Sequence, residues 1–404
     1  MNSKFFAGLG GNRQVVALSV ARMSEAIGNS ILFIVIPIYV AKLPSLTLHF
    51  AVPVLVGILI SSYGFVNSSL QPVMGALSDK LGRRKILIQT GMLIMGLGTL
   101  GFVLADRYLH LLALRSLQGV GIAITIPASM ALMAAVTNKE TRGGSMGIYS
   151  MLRMVGFSAG PVIGGFIQVH FGFNAVFITG SMFIFLATIL VQMWVKDVPV
   201  TNNNNKFRII DRSLLSPAII AAGLATFVMA FSFSMVTTLE NEFNAKLGIN
   251  AFGFSIAISS MMVGRILLQV PLGRLSDRIG RRPLIIGGLI LLAPASALIG
   301  DTTTLTQLVV LRIIQGVASA GIAAPAFALV GDLGKAGGEG RQMSVITMGF
   351  GLGMAIGPLV AGFLAIIFFQ LPFYAGGLLC LIMAFVAFKN IPETVESKIP
   401  PSAG

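Results

Sequence analysis

Charged side chains set inside long apolar runs are the residues of this sequence best placed to do chemistry. Glu25 lies in the run 15–41, three residues after Arg22. Counted from Arg13 at about 1.5 Å per helical residue, Glu25 sits about 18 Å along, near the middle of a hydrocarbon layer about 30 Å thick. An ionised group at that depth costs roughly 2.5–3.5 kcal/mol on insertion scales, so it needs a partner or a wet cavity. Residues three apart share a helix face, which lets Arg22 supply the partner. Burial favours a neutral acid, whereas a neighbouring guanidinium favours the carboxylate. A carboxyl group pulled both ways binds or sheds a proton according to where its arginine is, which makes Glu25 the candidate for a coupled proton. A fixed Arg22–Glu25 pair is the plainer alternative. Arg153 and Arg265 come out at comparable depth in the runs 144–169 and 250–273. Arg115 and Arg312 lie about two turns inside the ends of the runs 108–136 and 304–331. Glu240 follows the run 213–239; counted from Leu214 it lies about 39 Å along, which places it on a solvated rim rather than in a binding site.

These residues imply helices that cross a bilayer. Of 404 residues, 55% are hydrophobic and 10% are charged, and the mean hydropathy is +0.89. Soluble domains carry roughly 25% charged residues, so a soluble enzyme core is excluded. Twelve apolar stretches, 15–41, 52–76, 86–105, 108–136, 144–169, 174–195, 213–239, 250–273, 283–300, 304–331, 341–367 and 372–391, are each long enough or nearly long enough to span. The fold expected is an all-α membrane protein. The first stretch runs straight into an ordinary joint, so it is read as a retained helix and not as a cleavable signal.

The net charge of +14 is a topology signal and not a nucleic-acid footprint. Lys and Arg gather in alternate joints: Lys80, Arg83, Arg84 and Lys85; Lys139 and Arg142; Lys196, Lys206, Arg208 and Arg212; Arg274, Arg278, Arg281 and Arg282; Lys335 and Arg341. Basic joints stay on the cytoplasmic side, which puts both termini and the central joint there, in the cytoplasmic membrane. The single cysteine, Cys380, excludes a disulfide framework. His49, His110 and His170 are scattered without metal-ligand spacing, and no phosphate-cradling loop or nucleophile–base set is visible. No enzyme, metal site or cofactor is expected.

The chain repeats itself. Gly75-Ala-Leu-Ser-Asp79-Lys-Leu-Gly82-Arg83-Arg84 returns as Gly273-Arg-Leu-Ser-Asp277-Arg-Ile-Gly280-Arg281-Arg282, and Leu114-Arg115-Ser-Leu-Gln118-Gly119 returns as Leu311-Arg312-Ile-Ile-Gln315-Gly316. Gly156, Gly160 and Pro161 return as Gly353, Gly357 and Pro358. Six helices separate the copies, so both halves have the same orientation, related by a pseudo-twofold axis along the membrane normal. The division expected is a six-helix bundle over 1–195, a linker over 196–212 rich in asparagine, and a second six-helix bundle with a short tail over 213–404.

Asp79 and Asp277 are placed just beyond a helix end, among cations. Charge-assisted bonds there can close the cytoplasmic side in one state and break in another, a gate formed by Gly75, Asp79, Gly82, Arg83, Arg84, Gly273, Asp277, Gly280, Arg281 and Arg282. Gly156, Gly160 and Gly164 recur every fourth residue, the spacing that lets two helices approach backbone to backbone, and Pro161 removes a backbone donor.

On these motifs the chain resembles the major facilitator superfamily over essentially its whole length, the Gly-x-Leu-Ser-Asp-x-x-Gly-Arg-Arg loop being that superfamily's signature. The run Gly156-x-x-x-Gly160-Pro161-x-x-Gly164-Gly165 is similar to the motif of its twelve-helix drug:proton antiporters. The resemblance implies a monomeric alternating-access transporter with a central site between the halves, using protons and a small-molecule substrate. It also implies a role for Arg115 in proton coupling and a sealing role for the glycine stripe. The reading favoured is a proton-coupled exporter of amphipathic or drug-like compounds. A carrier for an organic anion or metabolite is the alternative, because Arg22, Arg153 and Arg265 outnumber Glu25. A non-transporting sensor fits less well, since it needs no paired gate loops.

Overall fold

The computed structural model describes residues 13–43, 50–137, 142–197, 216–333 and 339–393, apart from the side chain of Asp79 and a few side chains beside the gaps. The described residues form helices and connecting turns. In chain order these are α1 (Arg13–Ser30), α2 (Leu32–Lys42), α3 (Val52–Leu81), α4 (Arg84–Gly101), α5 (Tyr108–Ala135) and α6 (Arg142–Trp194). They continue as α7 (Pro217–Thr238), α8 (Glu240–Leu247), α9 (Ala251–Ile279), α10 (Arg281–Ala297), α11 (Leu305–Leu333), α12 (Glu339–Ala365) and α13 (Leu371–Asn390).

Eleven of the described helical stretches are long and apolar enough to cross a membrane, and one of them runs for 51 residues. At about 1.5 Å per residue that stretch is more than twice the hydrocarbon thickness, so it is two crossings. The division falls at Gly172, whose φ of 80° and ψ of −176° leave the helical region. A residue without a Cβ adopts that conformation at little cost. The count of twelve crossings therefore holds, with α1 and α2 joined through Ile31 as the first.

Two helix ends differ from the sequence expectation. α3 continues to Leu81 and α9 to Ile279, so Asp79 and Asp277 belong to the last helical turn and not to a loop beyond it. Hydropathy fades before the helix does. The ends come instead at Gly82 and Gly280, with φ of 64° and 103°, where the chain can turn left-handed. Gly75 and Gly273 are not forced to be glycine by close helix approach: a Cβ would meet Pro127 and Ala324 at ordinary distances of 3.7 and 3.8 Å.

Small residues set the packing within each half, and they do so twice. The first arm of α6 lies along α1, where a Cβ on Gly156 would meet Met23 O at 2.5 Å and one on Gly164 would meet Ile31 O at 2.9 Å. Ser30 Oγ donates to Gly156 O across this contact at 3.3 Å. α12 lies along α7 in the same way, with Gly357 against Phe231 O at 2.7 Å and Ser234 Oγ donating to Gly353 O at 3.2 Å. Ala361, fully buried, stands where the third glycine of the first half would recur.

The halves meet chiefly at one end. Residues of α2 and α3 share one apolar cluster with Val236, Leu239, Phe243, Phe254 and Phe373 of the second half. Gly165 faces Ala251 O at 2.8 Å, Gly57 faces Pro358 O at 2.5 Å, and Asn241 Nδ2 donates to Pro37 O at 2.8 Å. At the other end, where Lys80, Arg83, Arg278 and Arg281 lie, each half keeps its own core. One core is built from residues such as Val15, Ile88, Leu132 and Val191, the other from Ala222, Ile285, Leu329 and Ala387. The halves thus share one core at the far end and keep separate cores at the basic end.

Candidate functional site

The first crossing brings Arg22 and Glu25 onto one face of α1, both buried, with Arg22 Nη1 bonded to Glu25 Oε2 at 2.5 Å. An i,i+3 spacing makes that reach possible without distorting the helix. The charge of Arg153, on α6, acts on the same group from across the packed contact, together with the phenols of Tyr63 and Tyr149. The Arg153 guanidinium lies 5.1 Å from the ring of Phe157, which in turn stacks on Phe33 at 5.8 Å. Arg265, on α9 of the other half, is buried, feels the charge of Arg153, and reaches Gln269 Oε1 at 3.4 Å. Arg22, Glu25 and Arg153 thus interact within the first half, and Arg153 with Arg265 across the halves. Arg22 pairs with the carboxylate and Arg153 feels its charge, whereas the charge that acts on Arg265 is that of Arg153.

Arg115 belongs to a neighbouring arrangement that has a copy in the second half. Arg115 Nη1 donates to Gln118 Oε1 at 2.8 Å, and Gln118 Nε2 donates to Thr99 Oγ1 at 2.8 Å. Arg312, Gln315 and Ser296 repeat this at 2.8 and 3.0 Å. The halves then diverge. The Arg115 guanidinium lies 4.3 Å from the Tyr63 ring, whose hydroxyl accepts from Asn29 Nδ2 of α1 at 3.0 Å. Arg312 lies 5.1 Å from the ring of Phe233, which offers no hydroxyl. A polar path therefore links Arg115 to the first crossing in one half and stops at a hydrocarbon ring in the other.

Tyr63, Asn29 and Tyr149 carry no motif and are not identified by sequence reasoning. Gln118 and Gln315 stand in the repeated Leu-Arg-x-x-Gln-Gly run, so the repeat contained the signal for them.

At the basic end, Arg281 Nη1 pairs with Asp277 Oδ1 at 2.5 Å and donates to Ser276 Oγ at 2.6 Å, while Arg281 Nε donates to Asp332 Oδ2 at 2.7 Å. Asp332, at the end of α11, ties three helices of the second half together and has no place in the repeated motif. In the first half Arg84, the counterpart of Arg282, donates to Ala131 O at 2.8 Å. Arg282 lies over the Phe388 ring at 4.4 Å, and Arg83 is exposed. The side chain of Asp79 lies outside the described residues.

Glu240 is not on a solvated rim. α7 ends at Thr238, the chain turns at Leu239, and Glu240 opens the short α8 with no exposed surface. The estimate from a straight helix fails because the helix breaks one residue earlier and folds against the far-end cluster.

The profile of the Major Facilitator Superfamily matches residues 18–239 and again 222–404. The multi-drug resistance efflux pump PmrA of Streptococcus pneumoniae is 28% identical over 344 residues, which cover 83% of this chain and 85% of that one. An uncharacterised MFS-type transporter of Methanocaldococcus jannaschii is 28% identical over 324 residues, covering 77% and 82%. Among solved structures, a bacterial homologue of the human lysosomal transporter Spinster superposes with a TM-score of 0.78 over 93% of this chain and 96% of that chain, at 16% identity.

Proposed function

Because this chain belongs to the major facilitator superfamily and is a multi-pass membrane transporter, we propose that it is an exporter that exchanges protons for amphipathic, drug-like small molecules. The observation that carries this reading is the buried Arg22–Glu25 pair of the first crossing, a carboxylate held by a cation. The efflux pump among its relatives supports the direction.

The two bundles, 1–195 and 213–404, rock about the central charges as a monomer, with the linker 196–212 between them. The basic end faces the cytoplasm of a cell whose plasma membrane holds the protein, with both termini inside. The shared core at the far end then seals the outside, and the separate cores leave the cytoplasmic side free to part. In this state Glu25 is bonded to Arg22 and carries no coupled proton. Opening outward exposes it to external protons; protonation breaks the ion pair and frees Arg22 to turn toward Tyr63 or Tyr149. Arg115 follows the polar path through Tyr63 and Asn29 to α1, which lets it sense the change. The charge cluster around Arg281, with the repeated motif of Asp79 and Arg83 in the first half, closes the cytoplasmic side in the other half of the cycle, and the stripe Gly156, Gly160, Pro161, Gly164 and Gly165 keeps the rocking helices in tight contact.

A second reading, an organic-anion carrier, is favoured by one observation: among the described residues Arg265 interacts with no carboxylate, and Arg153 feels Glu25 without forming an ion pair with it. The sign of a pH effect separates the two. Protonating Glu25 removes a negative charge, which weakens a bound cation and strengthens a bound anion. In proteoliposomes with an imposed pH gradient, a lipophilic cation is expected to be expelled and its binding to weaken in acid. Accumulation of an organic anion whose binding tightens in acid selects the second reading; transport of neither overturns both.

A further inference from the structure

Glu240 is the one described carboxyl group with no exposed surface that has no cation beside it. Neither of its oxygens has a hydrogen-bond partner of good geometry, and Asn244, one turn later, is the polar side chain next to it. Leu239 before it and Phe243 after it are fully buried in the cluster shared by both halves, and Asn241 bonds Pro37 across the halves. The residue therefore sits in the far-end seal itself.

The charged groups around it are accounted for. Glu242, on the same helix, acts on Glu240 as a second negative charge. Lys246 donates to Gly300 O at 2.5 Å and lies over the Phe369 ring. On α2, Tyr39 donates to Ala105 O at 2.9 Å and the Lys42 ammonium lies over Phe173. α7 contains no ionisable side chain, and α9 contains none before Arg265. Asp301, beyond α10, accepts from the Tyr374 hydroxyl.

A carboxylate stripped of water and left without a cation is far costlier than the neutral acid. Burial pushes the Glu240 carboxyl well above the usual carboxylate range, and Glu242 adds to this against the opposing effect of Asn244. From this geometry we infer that Glu240 is a proton-binding site of the far-end seal, which must take up one proton from the far-side solvent to close. Separating the halves at that end hydrates the group and returns the proton to the same compartment. The proton is not carried across. It biases the seal toward closure when the far side is acidic, and the inference rests on the halves moving as an alternating-access carrier.

The sign follows from linkage. A group whose affinity for a proton is higher in the closed seal than in the hydrated state stabilises closure at low pH, and that stabilisation is lost as pH rises. One linked proton changes the closed-to-open ratio by at most about tenfold per pH unit.

The test places spin labels at Ala41→Cys and Ala245→Cys, both exposed, on either side of the seal in a Cys380→Ser background, and measures their separation against pH without substrate. The expected result is a short distance in acid that gives way to a longer one as pH rises. Glu240→Gln, a neutral side chain of the same size, is expected to hold the short distance throughout. Glu242→Gln removes the neighbouring negative charge and should move the midpoint to lower pH. An unchanged pH response in Glu240→Gln, or an unmoved midpoint in Glu242→Gln should the first variant fail to fold, overturns the inference. Repeating the titration with Glu25→Gln separates this site from the central one. A response that persists belongs to Glu240; one that vanishes belongs to Glu25 and overturns the inference.

Discussion

Glu25 and Arg22 form a pair that two quite different roles would both require, and the difference between those roles is measurable. If Glu25 carries the coupled proton, Glu25→Gln mimics its permanently protonated form, keeping size and most hydrogen-bonding capacity without the charge. Gradient-driven accumulation in proteoliposomes should then fall to the uncoupled level while substrate binding survives. If the pair is only structural, the same change strands Arg22 in a low-dielectric setting and costs about 3–5 kcal/mol whatever the pH. Adding Arg22→Met to Glu25→Gln removes the stranded charge, so thermal stability should recover in both cases. Only the structural role predicts that proton-driven transport recovers with it. The tyrosine beside Arg115 sharpens the asymmetry between halves: the Tyr63 hydroxyl accepts from Asn29 of α1, whereas Phe233 offers no hydroxyl beside Arg312.

Helix contacts explain why the glycine stripe tolerates so little. A Cβ on Gly160 would meet Ile27 O at 2.7 Å and collide with the Ser30 hydroxyl. The hydroxyl can rotate away, but the Ile27 carbonyl belongs to the backbone of α1 and cannot. Spacing alone suggests that alanine is accepted here; the backbone contact says that even Gly160→Ala forces α1 and α6 apart, at about 1–3 kcal/mol of overpacking. Thermal unfolding in detergent should register that loss for alanine and a larger one for Gly160→Leu, with exchange slowed by the first and abolished by the second. Normal exchange in the leucine variant is incompatible with the contact. The twelve crossings and their pairing into repeats were readable from hydropathy and from the recurrence of Gly75–Arg84 as Gly273–Arg282, because both signals are local in sequence. Helix ends were less so: α3 runs on to Leu81, since its end is set by Gly82 and not by the last apolar residue. Contacts between distant residues were not readable at all. Asn29 and Tyr63 lie 34 positions apart, Arg281 and Asp332 lie 51 apart, and nothing in either neighbourhood marks the partner. Glu240 was misplaced because a depth count assumes a straight helix, and the break at Leu239 invalidates the assumption.

Taken together, the halves share a core at one end and keep separate cores at the other, and both the orientation of this arrangement in the membrane and its mobility can be tested. Cysteines at the exposed positions Lys80 and Asp301, with Cys380 replaced by serine, should label from opposite sides of the membrane, the first only from the cytoplasm. Mobility demands a second experiment, because a static protein of the same topology would pass the first. Phe166 and Phe252 face each other across the halves at the sealed end, their ring centroids 6.1 Å apart. A short bifunctional reagent joining cysteines at these positions should fix the seal and stop turnover. The cytoplasmic cleft should stay open, so a substrate-sized reagent added from that side still reaches a cysteine at Arg153. Cleaving the cross-link should restore transport to the level of the unlinked variant. A linker long enough to span an opened seal should leave turnover largely intact, since it forbids no state of the cycle. Full transport with the short cross-link in place would mean that this end never opens, and the two halves would then have to pass substrate by some motion other than rocking about the central charges.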